Sequence, residues 1–88
     1  MKQLNQTIGF IGCGNMGSAI LSGLLRHQAV RPKQVYVYDP VSSKRKFVSL
    51  KFHVNAVRDN SELIRRSRIV LLAMKPQDLH SAALKLKP

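Results

Sequence analysis

Gly12-Cys13-Gly14-Asn15-Met16-Gly17 sets three glycines in the spacing G-x-G-x-x-G. The chemistry of that pattern is the grip of backbone N–H groups on a diphosphate at the start of a helix. Each glycine has its own reason: Gly12 permits a tight strand-to-helix turn, Gly14 lets a pyrophosphate approach the backbone, and Gly17 lets the helix lie close to a sheet. Standing alone the pattern is weak, but here it follows the apolar run Thr7-Ile8-Gly9-Phe10-Ile11 and opens a helical pattern. It also precedes a second strand-like run ending in Asp39, 22 residues beyond Gly17, which is the context a dinucleotide fingerprint requires. Asp39 is suited to accept hydrogen bonds from both ribose hydroxyls of an adenosine and to repel a 2′-phosphate, which by itself points to NAD. Ser42, Ser43, Lys44 and Arg45 follow at once, with hydroxyls and cations suited to a 2′-phosphate if Asp39 turns aside. The choice between NAD and NADP is open at this level. The plainer readings are a glycine turn without a ligand, a turn-forming acid before Pro40, and ordinary helix-surface charge in Lys44-Arg45-Lys46.

These residues need elements to position them. Thr7–Ile11 is short, apolar and partly β-branched, as a strand buried on both faces should be. Met16, Ala19, Ile20, Gly23, Leu24 and His27 recur at steps of three and four, which predicts a helix from about residue 15 to 28 with that stripe toward the core. Arg31-Pro32-Lys33 breaks it. Val35–Tyr38 reads as a second strand closed by Asp39-Pro40. Ser42 or Ser43 is placed to cap a helix carrying Phe47, Val48, Leu50 and Lys51, and a short third strand is expected at His53–Ala56. A short helix from Glu62 to Ser67 leads to Ile69-Val70-Leu71-Leu72-Ala73, a continuous apolar run expected to be fully buried. Pro76 ends that run, and Gln77–Leu86 reads as a last helix. The alternation predicts an α/β fold: a Rossmann-type doubly wound parallel sheet with right-handed crossovers, truncated to about four strands in the order 3-2-1-4.

Eighty-eight residues make a single domain, and 44% hydrophobic with 22% charged residues is globular composition. No apolar run reaches the roughly 18–20 residues of a membrane span, and the start lacks the features of a secretory signal, so a cytoplasmic protein is expected. Fifteen Lys and Arg against four Asp and Glu give a net charge of +11. That charge favours anionic partners, whether a phosphorylated ligand, nucleic acid or an acidic surface, without choosing among them. Cys13, the single cysteine, reads as a small space-filler. His27, His53 and His80 lack ligand spacing, so no metal is expected. Tyr36 and Tyr38 are read as packing against a helix rather than stacking on bases.

Ile8-Gly9-Phe10-Ile11-Gly12-Cys13-Gly14-Asn15-Met16-Gly17, the small-residue helix Ala19–Leu24, and Leu72-Ala73-Met74-Lys75-Pro76-Gln77 together resemble the amino-terminal half of pyrroline-5-carboxylate reductase. The likeness spans nearly all of the chain. The glycine loop is shared with many dehydrogenases, whereas Ala-x-Lys-Pro-Gln at the end of the fourth strand is more specific. The resemblance implies reduction of 1-pyrroline-5-carboxylate to L-proline, a step of proline biosynthesis, by hydride from NAD(P)H. It also implies that Ala73, Met74, Lys75 and Pro76 border the nicotinamide end and that Asn60 touches the adenosine portion, although Asn60 is equally placed to cap a helix. The expected cofactor-binding set is thus Gly12, Cys13, Gly14, Asn15, Met16, Gly17, Asp39, Ser43, Lys44, Asn60, Ala73, Met74, Lys75 and Pro76, with no catalytic residue and no metal ligand. Complete reductases of this kind continue into further strands and a helical domain that forms the dimer and binds substrate. Residues 1–88 are accordingly expected to be the cofactor-binding domain alone, binding NAD(P)H without full catalysis, while full-length relatives form homo-oligomers. The rival readings are a related imine or β-hydroxyacid dehydrogenase, including the deazaflavin-dependent NADP reductases, and a nonenzymatic basic module. Such a module would bind nucleic acid or a protein partner in a salt-sensitive way that survives Gly14→Asp.

Overall fold

β1 (Ile8–Ile11) is buried along its whole length, as its unbroken apolar sequence requires. It forms the centre of the molecule as seen in the computed structural model, which describes residues 4–73. After it come α1 (Asn15–Arg26), a 3-10 turn (Pro32–Gln34), β2 (Val35–Tyr38), α2 (Ser42–Phe52), β3 (Asn55–Ala56), α3 (Asn60–Arg66) and β4 (Ile69–Leu72). The strands form one sheet in the order β3-β2-β1-β4, with every pairing parallel. The expected α/β class and strand order are therefore what the chain adopts. Ile8 stands opposite both Val35 and Ile69, and Ile11 opposite both Tyr38 and Leu72, so the carboxyl ends of the three long strands finish level with one another.

The pleat divides the core in two. On one face Ile8, Phe10, Val35 and Val37 pack with Leu21 of α1 and Val48 of α2. On the other, Ile11, Val57 and Leu63 of α3 pack together with the half-buried Tyr36 and Tyr38, the packing role foreseen for the two tyrosines. Helices on both faces make the sheet doubly wound. Among the described residues no helix is long and apolar enough to cross a membrane.

Four local expectations are corrected. The buried line of α1 is Gly17 and Leu21, with Leu24 and Leu25 partly buried against the core, whereas Met16 and Ile20 are 52% and 41% exposed. The helix is rotated by one residue, about 100°, from the expected stripe, because Gly17 is drawn against the Gly12 carbonyl. α2 is capped by Val41 without a side-chain hydrogen bond, so neither Ser42 nor Ser43 caps it. α3 begins at Asn60, and its cap is Asp59, whose Oδ1 accepts the Glu62 N–H at 2.8 Å. Glu62 returns the contact by accepting the Arg58 N–H at 3.1 Å, a close variant of the reciprocal capping box. β4 is not fully buried: Ile69 and Leu71 pack against the core while Val70 and Leu72 are exposed. Among the described residues it is the outer strand, and α3 lies over β1 and β2 rather than over it. The expected helix at Gln77–Leu86 falls outside the described residues.

Candidate functional site

Parallel strands deliver their exits to one edge of the sheet, and every candidate segment within the described residues follows such an exit. The Gly12 N–H donates to the Tyr38 carbonyl at 2.8 Å, and the Ala73 N–H to the Ile11 carbonyl at 2.8 Å. These bonds carry the sheet ladder one step past the strands and bring Gly12, Asp39 and Ala73 side by side. Asn60 reaches the same edge after β3. Met74, Lys75 and Pro76 lie outside the described residues.

The three glycines of the loop differ in what holds them to glycine. Gly12 has a φ of 114°, a conformation that L side chains rarely adopt. At Gly17 a Cβ would run into the Gly12 carbonyl oxygen, so close helix–sheet contact demands its absence. Gly14 is under neither constraint. Its φ of −82° and ψ of −160° suit any residue, and a Cβ there would have nothing within 4 Å. It is also the N-cap of α1, with no side-chain cap and no acidic residue in the first turn. The first-turn N–H groups of Asn15, Met16 and Gly17 lack intrahelical acceptors and carry the positive end of the helix dipole. The result is a set of uncapped donors at the start of α1, with open space where a side chain at position 14 would stand.

The Cys13 N–H does not belong to that donor set. It donates to Asp39 Oδ2 at 2.9 Å, while the Val41 N–H donates to Asp39 Oδ1 at 2.8 Å. Asp39 is 6% exposed. Its carboxylate thus points inward and bridges the glycine loop to the turn after β2, instead of presenting both oxygens outward as expected from sequence. Cys13 is a buried free thiol. Burial above all, and then the Asp39 charge, push its pKa from 9.0 to about 12, against the smaller opposing pull of Arg45 and Lys44. It is a space-filler, and both cations stand near enough to the loop for their charge to be felt there.

Arg45 lies across the end of β2. Its Nη1–H donates to the Asp39 carbonyl at 2.6 Å, and its guanidinium carbon sits 5.5 Å from the Tyr38 ring centroid. A cavity of about 510 Å³ beside it is lined by Ser42, Ser43, Arg45, Lys46, Ser49, Leu50 and Ala56. Ser43 thus lines this groove. Lys44 is exposed and stands outside that lining, and Arg45 is the cation anchored at the strand end. Helical spacing holds the available signal, since residue 45 falls one turn after Ser42 on the side facing back along the strand. Among the described residues the Asn60 Oδ1 is buried without a hydrogen-bond partner. Because Asp59 does the capping, that acceptor is left for a donor from elsewhere. Among the described residues no group of three His, Cys, Asp or Glu is placed to hold a metal ion.

Open helix donors, an unpartnered amide oxygen and a cationic groove along the carboxyl edge of a parallel sheet suit an elongated, phosphorylated ligand. Fold and edge together define a Rossmann-type dinucleotide-binding domain of the kind built for a nicotinamide dinucleotide. More particularly, the chain belongs to the family described as NADP oxidoreductase, coenzyme F420-dependent, whose model matches residues 7–88. It is 41% identical over 73 residues to pyrroline-5-carboxylate reductase of Escherichia coli, an alignment covering 83% of this chain and 27% of that one. The structure is similar to that of a pyrroline-5-carboxylate reductase from Coxiella burnetii, with TM-score 0.83 and 29% identity over 94% of this chain and 30% of the other. A second neighbour, Plasmodium falciparum pyrroline carboxylate reductase with NADP bound, gives TM-score 0.77 and 27% identity over 99% and 30% of the two chains. The chain thus spans under a third of the length of these relatives.

Proposed function

We propose that these residues form the NAD(P)H-binding domain of a reductase that converts 1-pyrroline-5-carboxylate to L-proline. The observation that carries the binding part is Gly14. Neither its backbone angles nor its packing calls for glycine, so the missing side chain is explained by what must approach from outside. The likeness to reductases of this name supports the substrate. In this reading Gly12 and Gly17 shape the loop, and Cys13 fills the space beneath it. Gly14, Asn15 and Met16, with the Gly17 amide, hold the diphosphate. Ser43 and the first turn of α2 frame the adenosine ribose, Asp39 braces that turn against the glycine loop from within, and Lys44 adds charge at longer range. Asn60 offers its free oxygen to the adenosine. Ala73, followed by Met74, Lys75 and Pro76, borders the nicotinamide. The cofactor, when bound, supplies a hydride to the C=N carbon; these residues hold and orient it.

Calorimetric titration with NADH and NADPH at low and physiological salt tests the reading. Saturable one-to-one binding that persists at the higher salt and is abolished by Gly14→Asp is expected, because a carboxylate would then occupy the diphosphate cradle. Weak heats that vanish with salt, or binding indifferent to Gly14→Asp, would leave only nonspecific attraction to a chain of net charge +11.

A further inference from the structure

Among the described residues, α2 carries a second apolar face that no part of the fold covers. Val48 is buried in the core and Phe52 packs against it. Phe47 and Leu50, neighbours three positions apart on the other side, are 59% and 69% exposed. Exposed lysines border them: Lys44 and Lys51 lie one turn to either side of Phe47, and Lys46 lies one turn before Leu50. α2 contains no Asp or Glu, and the ion pair of the described residues, Arg66 with Glu62, is on α3. From this arrangement we infer that the outer face of α2 docks an acidic amphipathic helix of a partner protein, with apolar side chains on Phe47 and Leu50 and carboxylates on the three lysines.

Charge selects the occupant. The Lys51 Nζ lies 5.6 Å from the Phe47 ring centroid and 5.4 Å from that of Phe52, so the cation and the apolar surface form one patch. Its complement is a carboxylate one turn from an apolar side chain. A helical partner repeats its side chains at the same rise as α2, and an apolar stripe edged by carboxylates therefore meets the ridge and the lysines in register. A second copy of this chain lacks that complement. Of its four acids, Asp39 is buried while Asp59 and Glu62 are committed to the cap of α3, and a net charge of +11 repels a like molecule. A lipid surface is a poorer match, because two apolar side chains on an 11-residue helix offer little area to insert. Lys51 moreover lies over the rings instead of reaching away from them.

The experiment is fluorescence anisotropy of a labelled helical peptide of about fifteen residues, with leucines along one stripe and glutamates on both flanks, titrated with the intact chain at physiological salt. Saturable binding with a Kd of about 10–100 μM is expected, as for a small transient contact. Phe47→Ser and Leu50→Ser should each weaken it at least about fivefold, and Lys51→Gln at least about threefold. Circular dichroism identifies any variant that loses the fold, and Phe47→Gln, a better helix former, replaces the serine variant in that event. Ile64→Ser, which removes another exposed apolar side chain from α3, should leave the affinity within about twofold. A peptide of the same composition with its leucines and glutamates out of register should bind at least about tenfold more weakly. Absence of saturable binding would overturn the inference. Equal binding of the shuffled peptide, or a loss at Ile64 matching that at Phe47, would do so by reducing the effect to general attraction for a basic chain. Tighter binding to vesicles of phosphatidylglycerol and phosphatidylcholine, or to an oligothymidine, that Phe47→Ser abolishes would overturn it as well, since the face would then belong to a lipid surface or a nucleic acid.

Discussion

Replacing Gly14 with serine should make the chain more stable and less able to bind its ligand. Position 14 caps α1 with no side chain to do so, its backbone angles suit an L residue, and there is free space where a Cβ would stand. Serine is the better cap by a few tenths of a kcal/mol, and restricting the unfolded chain adds about 0.4–1 kcal/mol. The gain is about 1 kcal/mol, which for a domain of this size raises the melting midpoint by about 4–8 °C. The serine hydroxyl would achieve this by accepting the N–H of Met16 or Gly17, the donors assigned to the diphosphate. Losing one charge-assisted bond of about 1.5–3 kcal/mol weakens binding of NADPH at least about tenfold. Thermal denaturation followed by circular dichroism, together with calorimetry, reads both quantities from one preparation. A variant that melts well below the wild type would show that the fold itself requires glycine at 14. A variant that binds NADPH unchanged would show that the loop amides are not the diphosphate site. Either result refutes the reasoning.

Gly17→Ala, in contrast, should lower stability by about 1–3 kcal/mol in denaturant titration, because its new methyl meets the backbone carbonyl of Gly12 rather than a flexible side chain. Asp59→Ala should cost about 1 kcal/mol by removing the cap on α3, and amide exchange should show the loss concentrated in Asn60–Arg66. The Cys13 thiol keeps its proton in the folded chain up to about pH 12 but releases it near 9 when unfolded. Stability should therefore be unaffected by this group below about pH 8 and fall as the pH rises past 9, with a limiting slope of about 1.4 kcal/mol per pH unit. Cys13→Ala should remove that increment from alkaline denaturation curves. A steeper alkaline loss in the variant than in the wild type would contradict the burial argument.

Much of this was legible in the residues because it depends on local rules. An apolar strand, a glycine turn and a helix in direct succession leave little choice of hand or direction, and the alternation of elements then leads to the parallel order 3-2-1-4. Gly12 and Gly17 were legible too, since turn geometry and close contact exclude a side chain at those positions. The rotation of α1 was not. Met16 and Ile20 on one side and Leu21 and Leu25 on another, with Leu24 between and common to both, make two apolar stripes of similar quality, and periodicity does not rank them. The contact of Gly17 with the turn before the helix chooses the second. Among the described residues the two-sided burial expected of β4 is absent for a related reason: a strand's composition reports what it tolerates, while the neighbours packed on it decide what covers it.

Asp39 shows the division most plainly. The residues alone determine that an acid follows the second strand at fingerprint spacing and that hydroxyls and cations come after it. Only the tertiary structure decides which way the acid turns, because its partners are two backbone N–H groups, one of them 26 residues away in sequence. A buried N–H that must find an acceptor is satisfied by whatever the fold brings near it. That requirement, invisible along the chain, turns a residue suited to hold a ribose into one that holds the site together.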